Sequence, residues 1–403
     1  MTTVLFVGGG RHQRRAILRA RELGHRVVAV DRNPEAPGLK AADVGELVDF
    51  TNVEGVVKVA RRHRVDGVLT VATDRAVPVV AAVAEALDLP GIGTETAHRM
   101  TNKLEMRNVF SEAGVPQPLF AAVRSAEDVA AVLADVGLPA VLKPVDSGGQ
   151  RAVFRLECPE NLERKLAEAV AESTTGAAIV EEYVDGAEMN GIVVVRGGEP
   201  LLLTFSDRLR PPGIGFGVGW THVYPPSTDR DQLRRVQKIA CDAVRALGLR
   251  DGIAFPQLIA TPDGRVTVVE VAARIAGGQM ADLVWHAVGI DLVDIALLQA
   301  LGRDVPNELT QPRFSQPLAI RFLTASPGPL PPGRVLRIGG LEPVLACDGV
   351  VQAETYLEVG ETIRPVRRDG DRRGYVIALA DTSDEALRRA DAAVELLIVQ
   401  VTA

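Results

Sequence analysis

The sequence predicts a protein built from α/β and α+β domains, and three observations support this fold class. Short apolar runs alternate with helical patterns over the first quarter of the chain, an order that is typical of parallel α/β sheets. Farther along, longer apolar runs are joined by tight-turn sequences, which favours antiparallel pairing. The length of 403 residues predicts two to three domains with substantial cores.

Composition and charge indicate an ordinary soluble globular protein. Hydrophobic residues make up 47% of the chain, and the net charge of −7 argues against a nucleic-acid surface. No stretch approaches the roughly 18 to 20 unbroken apolar residues that a membrane-spanning helix needs, and the first residues lack the pattern of a signal peptide. We therefore expect a cytoplasmic protein that binds neither nucleic acid nor membrane.

The cysteines predict neither a disulfide framework nor a thiolate metal site. Cys158, Cys241 and Cys347 lie far apart, without C-x-x-C spacing and with few histidines to complete a zinc site. We expect all three to be buried apolar fillers.

Residues 1–98 are predicted to form a small Rossmann-like domain around a parallel sheet. Its strands and a later helix are predicted at Val4–Val7, Val27–Val30, Val68–Val71 and Pro78–Leu87. The glycine triplet after the first strand does not complete a G-x-G-x-x-G fingerprint, because Gln13 occupies the last glycine position. We expect a scaffold and a wall of the substrate site, and a cofactor site in this domain is the open alternative.

Residues 99–305 are predicted to form the second domain. It opens with a helical pattern over Thr96–Phe110 that contains Asn102 and Lys103 and is ended by Gly114. A lid-like subdomain over residues 118–184 follows, with elements predicted at Leu119–Val123, Ala126–Val136, Ala140–Lys143, Val153–Leu156, Asn161–Ala171 and Ala178–Tyr183. Long strands that imply an antiparallel sheet are predicted at Gly191–Val195, Pro200–Ser206, Phe255–Thr261 and Arg265–Val271.

Residues 306–403 are predicted to form a third, smaller α+β domain. A stretch rich in proline and glycine over residues 306–335 marks the boundary. Short strands and a final helix are predicted at Val335–Ile338, Val350–Tyr356, Thr362–Val366, Tyr375–Ala380 and Ser383–Leu397.

The segment Leu142–Arg151 carries the first chemical signal. Lys143 ends an apolar strand, and Gly148 and Gly149 follow in a turn whose backbone N–H groups can approach an anion closely. The chain has only six lysines against thirty-nine arginines, so a lysine retained at this position is informative. The segment favours a phosphate site, and a hairpin that carries a lysine by chance is the alternative.

Two further segments strengthen the phosphate hypothesis. Ile179–Glu188 is an apolar strand that runs into a turn with several carboxylates, and a linker of this kind suits the edge of an adenine ring. Val268–Gly278 places Glu270 and Arg274 four residues apart, on one face of a strand by its period of two. A carboxylate and a guanidinium together can hold Mg²⁺ and stabilise phosphoryl charge.

In order and spacing these segments resemble the ATP-grasp superfamily of carboxylate–amine ligases, over nearly the whole chain. The C-terminal segment, with Gly360 and Arg373–Ala378, looks like the C-terminal domain of biotin-carboxylase-like members, most closely the L-amino acid (dipeptide) ligases. The resemblance implies an ATP-grasp fold with an N-terminal Rossmann-like domain and a small C-terminal α+β domain. It also implies ATP and Mg²⁺ as cofactors, with Mn²⁺ as an alternative metal, and a homodimer.

The resemblance assigns nucleotide-binding residues by position. Lys103 and Lys143 match the two lysines that contact the nucleotide phosphates in the family. Ser147, Gly148 and Gly149 match the loop that closes over these phosphates. Glu181, Glu182 and Val184 match the hinge that binds adenine. Glu188 matches the acid that binds the ribose hydroxyls.

The same matching assigns the residues nearest to the chemistry. Glu270 matches the Mg²⁺ ligand, and Arg274 matches the arginine near the transferring phosphate. Gly277 and Gly278 match the start of the loop around the substrate carboxylate. Lys143, Arg274 and Gly278 are thereby expected to serve catalysis.

Two positions depart from the family pattern. Gln257 stands where a second metal-binding glutamate is usual, and Ala272 stands where an asparagine is usual. An amide oxygen is a weaker ligand for a hard cation than a carboxylate, and alanine cannot coordinate at all. Gln257 is thus kept as a candidate metal ligand, and the metal stoichiometry stays open.

A substrate wall is predicted between Ser206 and Pro225, including the glycine-rich Pro211–Trp220 segment. Arg208 or Arg210 can bind a substrate carboxylate in a bidentate manner, and His222 can orient an amine. The alternative is that the arginines are solvated on an exposed hairpin and that the histidine fills a half-buried gap.

The implied chemistry is activation of a carboxylate by ATP to an acyl phosphate, followed by attack of an amine and loss of phosphate. We expect a ligase that joins an amino acid, or a similar small carboxylate, to an amine or a second amino acid. The alternatives are a purine-pathway or bicarbonate-using carboxylase of the same architecture, and a nucleotide-binding regulatory protein without turnover. Lys143 and Glu270, which a decayed site is expected to lose, favour an enzyme.

Overall fold

The computed structural model describes residues 1–210 and 217–402. Within the first range, the N-terminal strands form a parallel sheet in the order β3-β2-β1-β4, with β1 Thr3–Val7, β2 Arg26–Asp31, β3 Val44–Leu47 and β4 Gly67–Leu69. Its helices are α1 Arg11–Glu22, α2 Pro37–Ala41, α3 Val53–His63 and α4 Val77–Ala86. The predicted parallel sheet is confirmed.

Strand β1 is completely buried because its side chains alternate between two cores. Val4 and Phe6 pack in the core that contains Ile17 of α1, whereas Leu5 and Val7 pack with residues of α3 and α4. The sequence patterns do not predict β3, α2 or α3. Strand β3 lies at the sheet edge with alternate residues exposed, so it contains no apolar run.

Two helices, α5 Thr94–Thr101 and α6 Lys103–Ala113, occupy the segment predicted as one helix. The single-helix prediction is wrong at Asn102, whose backbone is extended (φ −106°, ψ 114°). The Asn102 side chain caps α6 by accepting hydrogen bonds from the N–H groups two and three residues later. Lys103 is therefore the first residue of a capped helix, which Gly114 ends at φ 66° as predicted.

The lid-like subdomain has the predicted elements. Its four strands, β5 to β8 in chain order, form an antiparallel sheet in the order β5-β8-β6-β7. They are β5 Phe120–Val123, α7 Ala126–Val136, β6 Ala140–Pro144, β7 Phe154–Leu156, α8 Leu162–Glu172 and β8 Ala178–Glu182. Leu142 and Val180 pack with the two helices in one core. Because side chains alternate along a strand, Lys143 and Glu181 face the opposite side of this sheet.

The middle of the chain supplies long strands and three helices. These elements are β9 Ala187–Arg196, β10 Glu199–Leu209, β11 Thr221–Tyr224, α9 Arg230–Ala246, β12 Gly252–Ala260, β13 Val266–Ala272, α10 Met280–Val288 and α11 Leu292–Ala300. The four predicted long strands are confirmed, whereas the patterns do not predict β11 or the helices.

The C-terminal elements are β14 Leu318–Phe322, β15 Gly333–Gly339, α12 Leu341–Leu345, β16 Val350–Thr355, β17 Thr362–Ile363, β18 Gly374–Leu379, α13 Ser383–Val394 and β19 Ile398–Thr402. Among the described residues, eight strands form an antiparallel central sheet in the order β13-β12-β9-β10-β11-β14-β18-β16. Strands β17, β15 and β19 form a separate small sheet.

The stretch 306–335, predicted as a boundary rich in proline and glycine, contains the completely buried strand β14. This strand pairs with β11 on one side and with β18 on the other, so the central sheet continues across residue 306. The prediction missed β14 because its apolar run is short and flanked by prolines. The division of the chain into 1–98, 99–305 and 306–403 stays a prediction.

The cysteines differ from their prediction. Cys158, Cys241 and Cys347 are partly exposed and unpaired, so none is a fully buried filler. Cys347 lies at the end of α12, where its Sγ donates to the carbonyl oxygen of Pro343 at 3.4 Å and borders solvent. Within residues 1–210 and 217–402, no helix is long and apolar enough to cross a membrane.

Candidate active site

A cavity of about 660 Å³ lies between the lid sheet, the central sheet and residues of the N-terminal and C-terminal segments. All predicted site residues line it, namely Lys103, Lys143, Ser147, Gly148, Gly149, Glu181, Glu182, Val184, Glu188, Arg208, Arg210, His222, Gln257, Glu270, Arg274, Gly277 and Gly278. Residues 211–216 of the predicted substrate wall lie outside the described residues. The fold brings the other candidates to one site, and their roles stay predictions.

Lys143, Glu181 and Arg107 form a buried ion cluster on the lid side of the cavity. Nζ of Lys143 lies 2.7 Å from Oε2 of Glu181, and Nε of Arg107 lies 3.0 Å from Oε1 of the same carboxylate. Arg107 is completely buried, and it also donates hydrogen bonds to the carbonyl oxygens of Val268 and Val269 at 3.2 and 2.6 Å. Arg107 therefore ties helix α6 to a lid strand and to strand β13.

This cluster shifts the titration of both partners. Burial by itself raises the pKa of Glu181, but Arg107 and Lys143 outweigh it and hold this pKa at about 2. Burial lowers the pKa of Lys143, and the carboxylate of Glu181 opposes that shift. Glu181 is thus the counter-charge that favours the protonated form of the buried Lys143, a role that its predicted place in an adenine hinge does not include.

Lys103 connects the glycine-rich loop with Glu270. Its Nζ donates to the carbonyl oxygen of Ser147 at 2.8 Å and lies 3.1 Å from Oε1 of Glu270. Its backbone N–H donates to the carbonyl oxygen of Val145 at 2.6 Å, which fixes the start of α6 against the end of β6. A compact ammonium group held beside a glycine-rich turn can contact phosphate oxygens.

The glycine-rich loop packs against both the N-terminal and the C-terminal segments. Gly149 has φ +72°, a conformation that favours glycine, and its carbonyl oxygen accepts a hydrogen bond from the N–H of Asp369 at 3.1 Å. A Cβ atom at Gly148 would collide with the carboxylate of Asp74. Oγ of Ser147 is buried without a partner among the described residues, and a phosphate oxygen would satisfy it.

The predicted hinge joins the lid sheet to the central sheet. Glu182 accepts hydrogen bonds from Arg265 at 2.7 Å and from the N–H of Leu119 at 3.3 Å, so its carboxylate fixes the hinge. Glu188, in β9, pairs with both Arg208 and Arg210, whose side chains are only 10% and 19% exposed. The alternative of solvated arginines on an exposed hairpin is therefore wrong.

Gln257 and Glu270 are register partners on strands β12 and β13 and face the same cavity. In the part of the chain that the structure describes, no three His, Cys, Asp or Glu side chains form a group that could hold a metal ion. Mg²⁺ is commonly bound through one or two carboxylates, with substrate phosphates and water completing its ligands. The carboxylate of Glu270, 21% exposed, and the amide oxygen of Gln257 fit a metal bound in that way.

Arg274 lies just beyond β13, which ends at Ala272, so the prediction that it shares one strand face with Glu270 is wrong. It is held by Asp74, a residue that the sequence patterns do not predict. Its Nε and Nη2 donate to the two carboxylate oxygens at 2.7 and 2.8 Å. Asp74 begins a 3₁₀ turn, Asp74–Ala76, shortly after strand β4. Parallel α/β sheets place ligand-binding residues beyond the carboxyl ends of their strands, and this position is the signal that identifies Asp74.

His222 borders the loop that begins with Gly277 and Gly278. Its Nδ1 lies 3.4 Å from Nδ2 of Asn190, and its ring packs edge-on against Phe322. Burial, followed by the charges of Arg372 and Arg208, lowers the pKa of His222 well below its ordinary value, so the ring is neutral at pH 7. At 4% exposure it is fully buried, which corrects the alternative of a half-buried filler.

Arg372 of the C-terminal segment completes this end of the cavity. Its guanidinium lies 4.0 Å from the centre of the Phe322 ring and donates to the carbonyl oxygen of Gly219 at 2.8 Å. A Cβ atom at Gly278 would lie 3.3 Å from Arg372 and 3.4 Å from His222, so glycine leaves this end open. The sequence patterns miss Arg107 and Asn190, because a single polar residue inside a helix or strand pattern carries no signal of its own. They also miss Arg372, which lies in the loop before β18.

Three domain families match the sequence. The ATP-grasp N-terminal domain matches residues 18–91, the ATP-grasp domain matches residues 108–279, and the L-amino acid ligase C-terminal domain 2 matches residues 326–402. Together the matches span most of the chain, in the order that the sequence patterns predict.

Individual proteins also resemble this chain, and each of the following matches covers most of it. The uncharacterized protein y4rH of Sinorhizobium fredii is 29% identical over 351 residues, which are 84% of this chain and 70% of that protein. A formate-dependent phosphoribosylglycinamide formyltransferase of Ignicoccus hospitalis is 28% identical over 416 residues, covering 96% of this chain and 93% of its own. An L-amino acid ligase of Bacillus licheniformis shares the fold with a TM-score of 0.83 at 22% identity, over 100% of this chain and 99% of that chain. The predicted ATP-grasp fold is confirmed.

Proposed function

This chain belongs to the ATP-grasp superfamily of ATP-dependent carboxylate–amine ligases, and from that premise we propose that it joins an amino acid, or a similar small carboxylate, to the amine of a second amino acid through an acyl phosphate. One observation carries the choice of substrates. The segment that matches the L-amino acid ligase C-terminal domain 2 contributes Tyr356, Asp369 and Arg372 to the cavity wall. A cavity that is walled in part by a segment of the L-amino acid ligase domain family supports substrates of the same class.

The nucleotide phosphates are bound, in this proposal, at the meeting point of the lid and the central sheet. Lys103 and Lys143 supply positive charge there, and Ser147 supplies a buried hydroxyl that needs a partner. Mg²⁺, held by Glu270 and Gln257, supplies further positive charge that offsets the charge of the phosphates. The protein's task is to position ATP and to balance its charge.

In the first step, an oxygen of the substrate carboxylate attacks the γ-phosphorus of ATP, and the bond to the β-phosphate oxygen breaks to release ADP. Arg274 has a buried Nη1 without a partner among the described residues, and this donor stabilises negative charge on the transferring group. The product is an acyl phosphate, in which phosphate is a far better leaving group than the oxygen of a free carboxylate.

In the second step, the amine attacks the carbonyl carbon, the carbon–oxygen bond to phosphate breaks, and the nitrogen passes a proton to the departing phosphate. The neutral ring of His222 orients the amine without repelling an ammonium precursor. Arg208 and Arg372, close to His222, suit the carboxylate of a second amino acid. The glycine-rich loop, held to Asp369, keeps water from the acyl phosphate.

The test is phosphate release from Mg-ATP across a matrix of amino acids, offered singly and in pairs. We expect release that requires two amino acids and is lost in Lys143→Ala and Glu270→Ala. Lys238→Ala is the matched control, because the Lys238 side chain is 78% exposed on helix α9, where it pairs with Asp242, and its loss should leave turnover unchanged. Folded protein that binds ATP but releases no phosphate with any pair contradicts the proposal.

A second candidate function belongs in the same matrix. The relative from Ignicoccus hospitalis, which matches 96% of this chain, is named as formate-dependent and as acting on phosphoribosylglycinamide. Formate is a small carboxylate and the second substrate is an amine that carries a phosphate, so the same two steps apply. Release that requires formate and phosphoribosylglycinamide, and that no amino acid pair supports, would favour this candidate.

A further inference from the structure

Asp74 has no part in the steps proposed above, yet it lies where three segments meet. Its two carboxylate oxygens accept hydrogen bonds from Nε and Nη2 of Arg274, which follows it by 200 residues. Gly148 of the glycine-rich loop packs so closely on the same carboxylate that a Cβ atom would collide with it. One carboxylate thus joins the N-terminal segment, the lid and the end of strand β13.

The pairing leaves Nη1 as the nitrogen of the Arg274 guanidinium that Asp74 does not engage. Nη1 is buried and has no hydrogen-bond partner within residues 1–210 and 217–402, and the side chain that carries it is only 10% exposed. A buried donor without a partner is unfavourable unless a ligand completes it. Because Nε and Nη2 are both fixed by Asp74, the guanidinium plane cannot rotate, and the direction of Nη1 is set.

The charge of Asp74 suits this task. Burial by itself raises the pKa of Asp74, but the charge of Arg274 and its hydrogen bonds, with a contribution from Lys103, lower it below its ordinary value. The carboxylate is therefore ionised at neutral pH and can hold the guanidinium through two charge-assisted hydrogen bonds.

We propose that Asp74 is a positioning residue of the ligase reaction, which fixes Arg274 so that Nη1 meets the γ-phosphoryl group of ATP when the glycine-rich loop lies against it. The identity of that ligand rests on the function proposed above. The N-terminal segment then contributes to phosphoryl transfer itself, beyond its predicted part as a scaffold and wall. It also explains why position 148 cannot carry a side chain while the loop lies against Asp74.

The chain offers a matched control pair. Arg19 of α1 and Asp294 of α11 form the same bidentate arrangement, with Nε and Nη2 each 2.8 Å from a carboxylate oxygen. Neither residue lines the cavity. Asp294→Asn therefore removes an equivalent ion pair without touching the site.

The experiment compares binding of ADP with binding of a non-hydrolysable ATP analogue by calorimetric titration, in the presence of Mg²⁺. Asp74→Asn keeps one acceptor but sets an amide N–H against a guanidinium N–H. We expect it to lower the preference for the analogue over ADP by about tenfold and to leave ADP affinity nearly unchanged. Asp294→Asn should alter neither affinity. Where turnover is measured, kcat of Asp74→Asn should fall by about 100-fold, and KM for ATP should rise by about tenfold, in line with the weaker binding of the analogue.

A double variant separates positioning from general damage. If Asp74 acts through Arg274, then Arg274→Lys combined with Asp74→Asn should show the same preference as Arg274→Lys alone. A further tenfold loss in the double variant would overturn the proposal, as would an unchanged preference in Asp74→Asn. If Asp74→Asn does not fold, Arg274→Lys alone still decides: full retention of the preference for the analogue refutes the role of Nη1.

These titrations need no turnover, so their outcome is separate from that of the ligase proposal. Lost preference in Asp74→Asn together with the absence of phosphate release from every substrate pair would refute the ligase and retain the positioning role. Turnover by the wild type, together with an unchanged preference in Asp74→Asn, would retain the ligase and refute the positioning role.

Discussion

Replacing Glu181 by glutamine tests whether its carboxylate holds the buried cations of the lid side together. The substitution keeps the size of the side chain and removes its charge. It leaves Lys143 and Arg107 as neighbouring cations whose side chains are only 8% and 0% exposed. Because a buried charge without its partner is far less stable than an intact buried pair, we expect Glu181→Gln to destabilise the fold strongly.

Two routes give the same magnitude for this loss. The pKa of Glu181 is about 2 against an ordinary 4.5, and at about 1.4 kcal/mol for each unit the difference favours the ionised folded form by about 3 kcal/mol. Removal of one partner from a buried ion pair generally costs about 3–5 kcal/mol. We therefore expect the free energy of unfolding at pH 7 to fall by about 3–5 kcal/mol.

Urea unfolding followed by circular dichroism measures the loss. Glu199→Gln is the matched control, because Glu199 pairs with Arg245 while it is 82% exposed, and its effect should stay below about 0.5 kcal/mol. Adding Lys143→Met to Glu181→Gln removes the unpaired ammonium and should recover part of the loss. A change below about 1 kcal/mol in Glu181→Gln, or no recovery in the double variant, would refute the reasoning.

Other consequences of the same geometry concern acid stability, the glycine-rich loop and the metal. Because the pKa of Glu181 in the folded protein is about 2 and its ordinary value is 4.5, its contribution to stability is complete above pH 4.5 and is lost as the pH falls towards 2. Acid unfolding should therefore depend less steeply on pH in Glu181→Gln than in the wild type. Gly148→Ala should lower kcat by roughly tenfold or more in a phosphate-release assay, without lowering the melting temperature, because its Cβ atom pushes the loop away from Asp74. Gln257→Glu places a second carboxylate beside Glu270 and should tighten Mg²⁺ binding several-fold in titrations of the ADP complex, and unchanged binding would exclude position 257 from the metal site.

Local sequence signals predict the lid far better than the joints between segments. Helix α7 occupies the predicted Ala126–Val136, because Ser125 and Asp128 form a capping box at its start. Strand β14 is missed although it is completely buried, since its place in the central sheet depends on partners β11 and β18, from distant parts of the chain. Pairing between distant strands leaves no periodic trace in either strand alone.

The same distinction applies within the candidate active site. Lys143 and Glu270 stand out in the sequence because each ends or follows an apolar run beside a glycine-rich turn. Asp74 and Arg107 do not stand out, because the partner that each one binds lies far away in the chain, at 200 residues for Asp74 and 74 residues for Arg107. Motif reasoning therefore recovers residues that lie beside apolar runs and glycine-rich turns, and it misses Asp74 and Arg107, whose partners are distant in the chain.

Accessibility separates two glutamates that the sequence treats alike. Glu181 and Glu270 both follow apolar runs, both line the cavity and both pair with a lysine, at 2.7 and 3.1 Å. Glu181 is 3% exposed and bound on both oxygens by Lys143 and Arg107, so a metal ion could reach it only by breaking a buried cluster. Glu270 is 21% exposed, so it can exchange Lys103 for a cation at a much smaller cost. We therefore expect Glu270 to serve the chemistry of the cavity and Glu181 to serve the stability of its lid side.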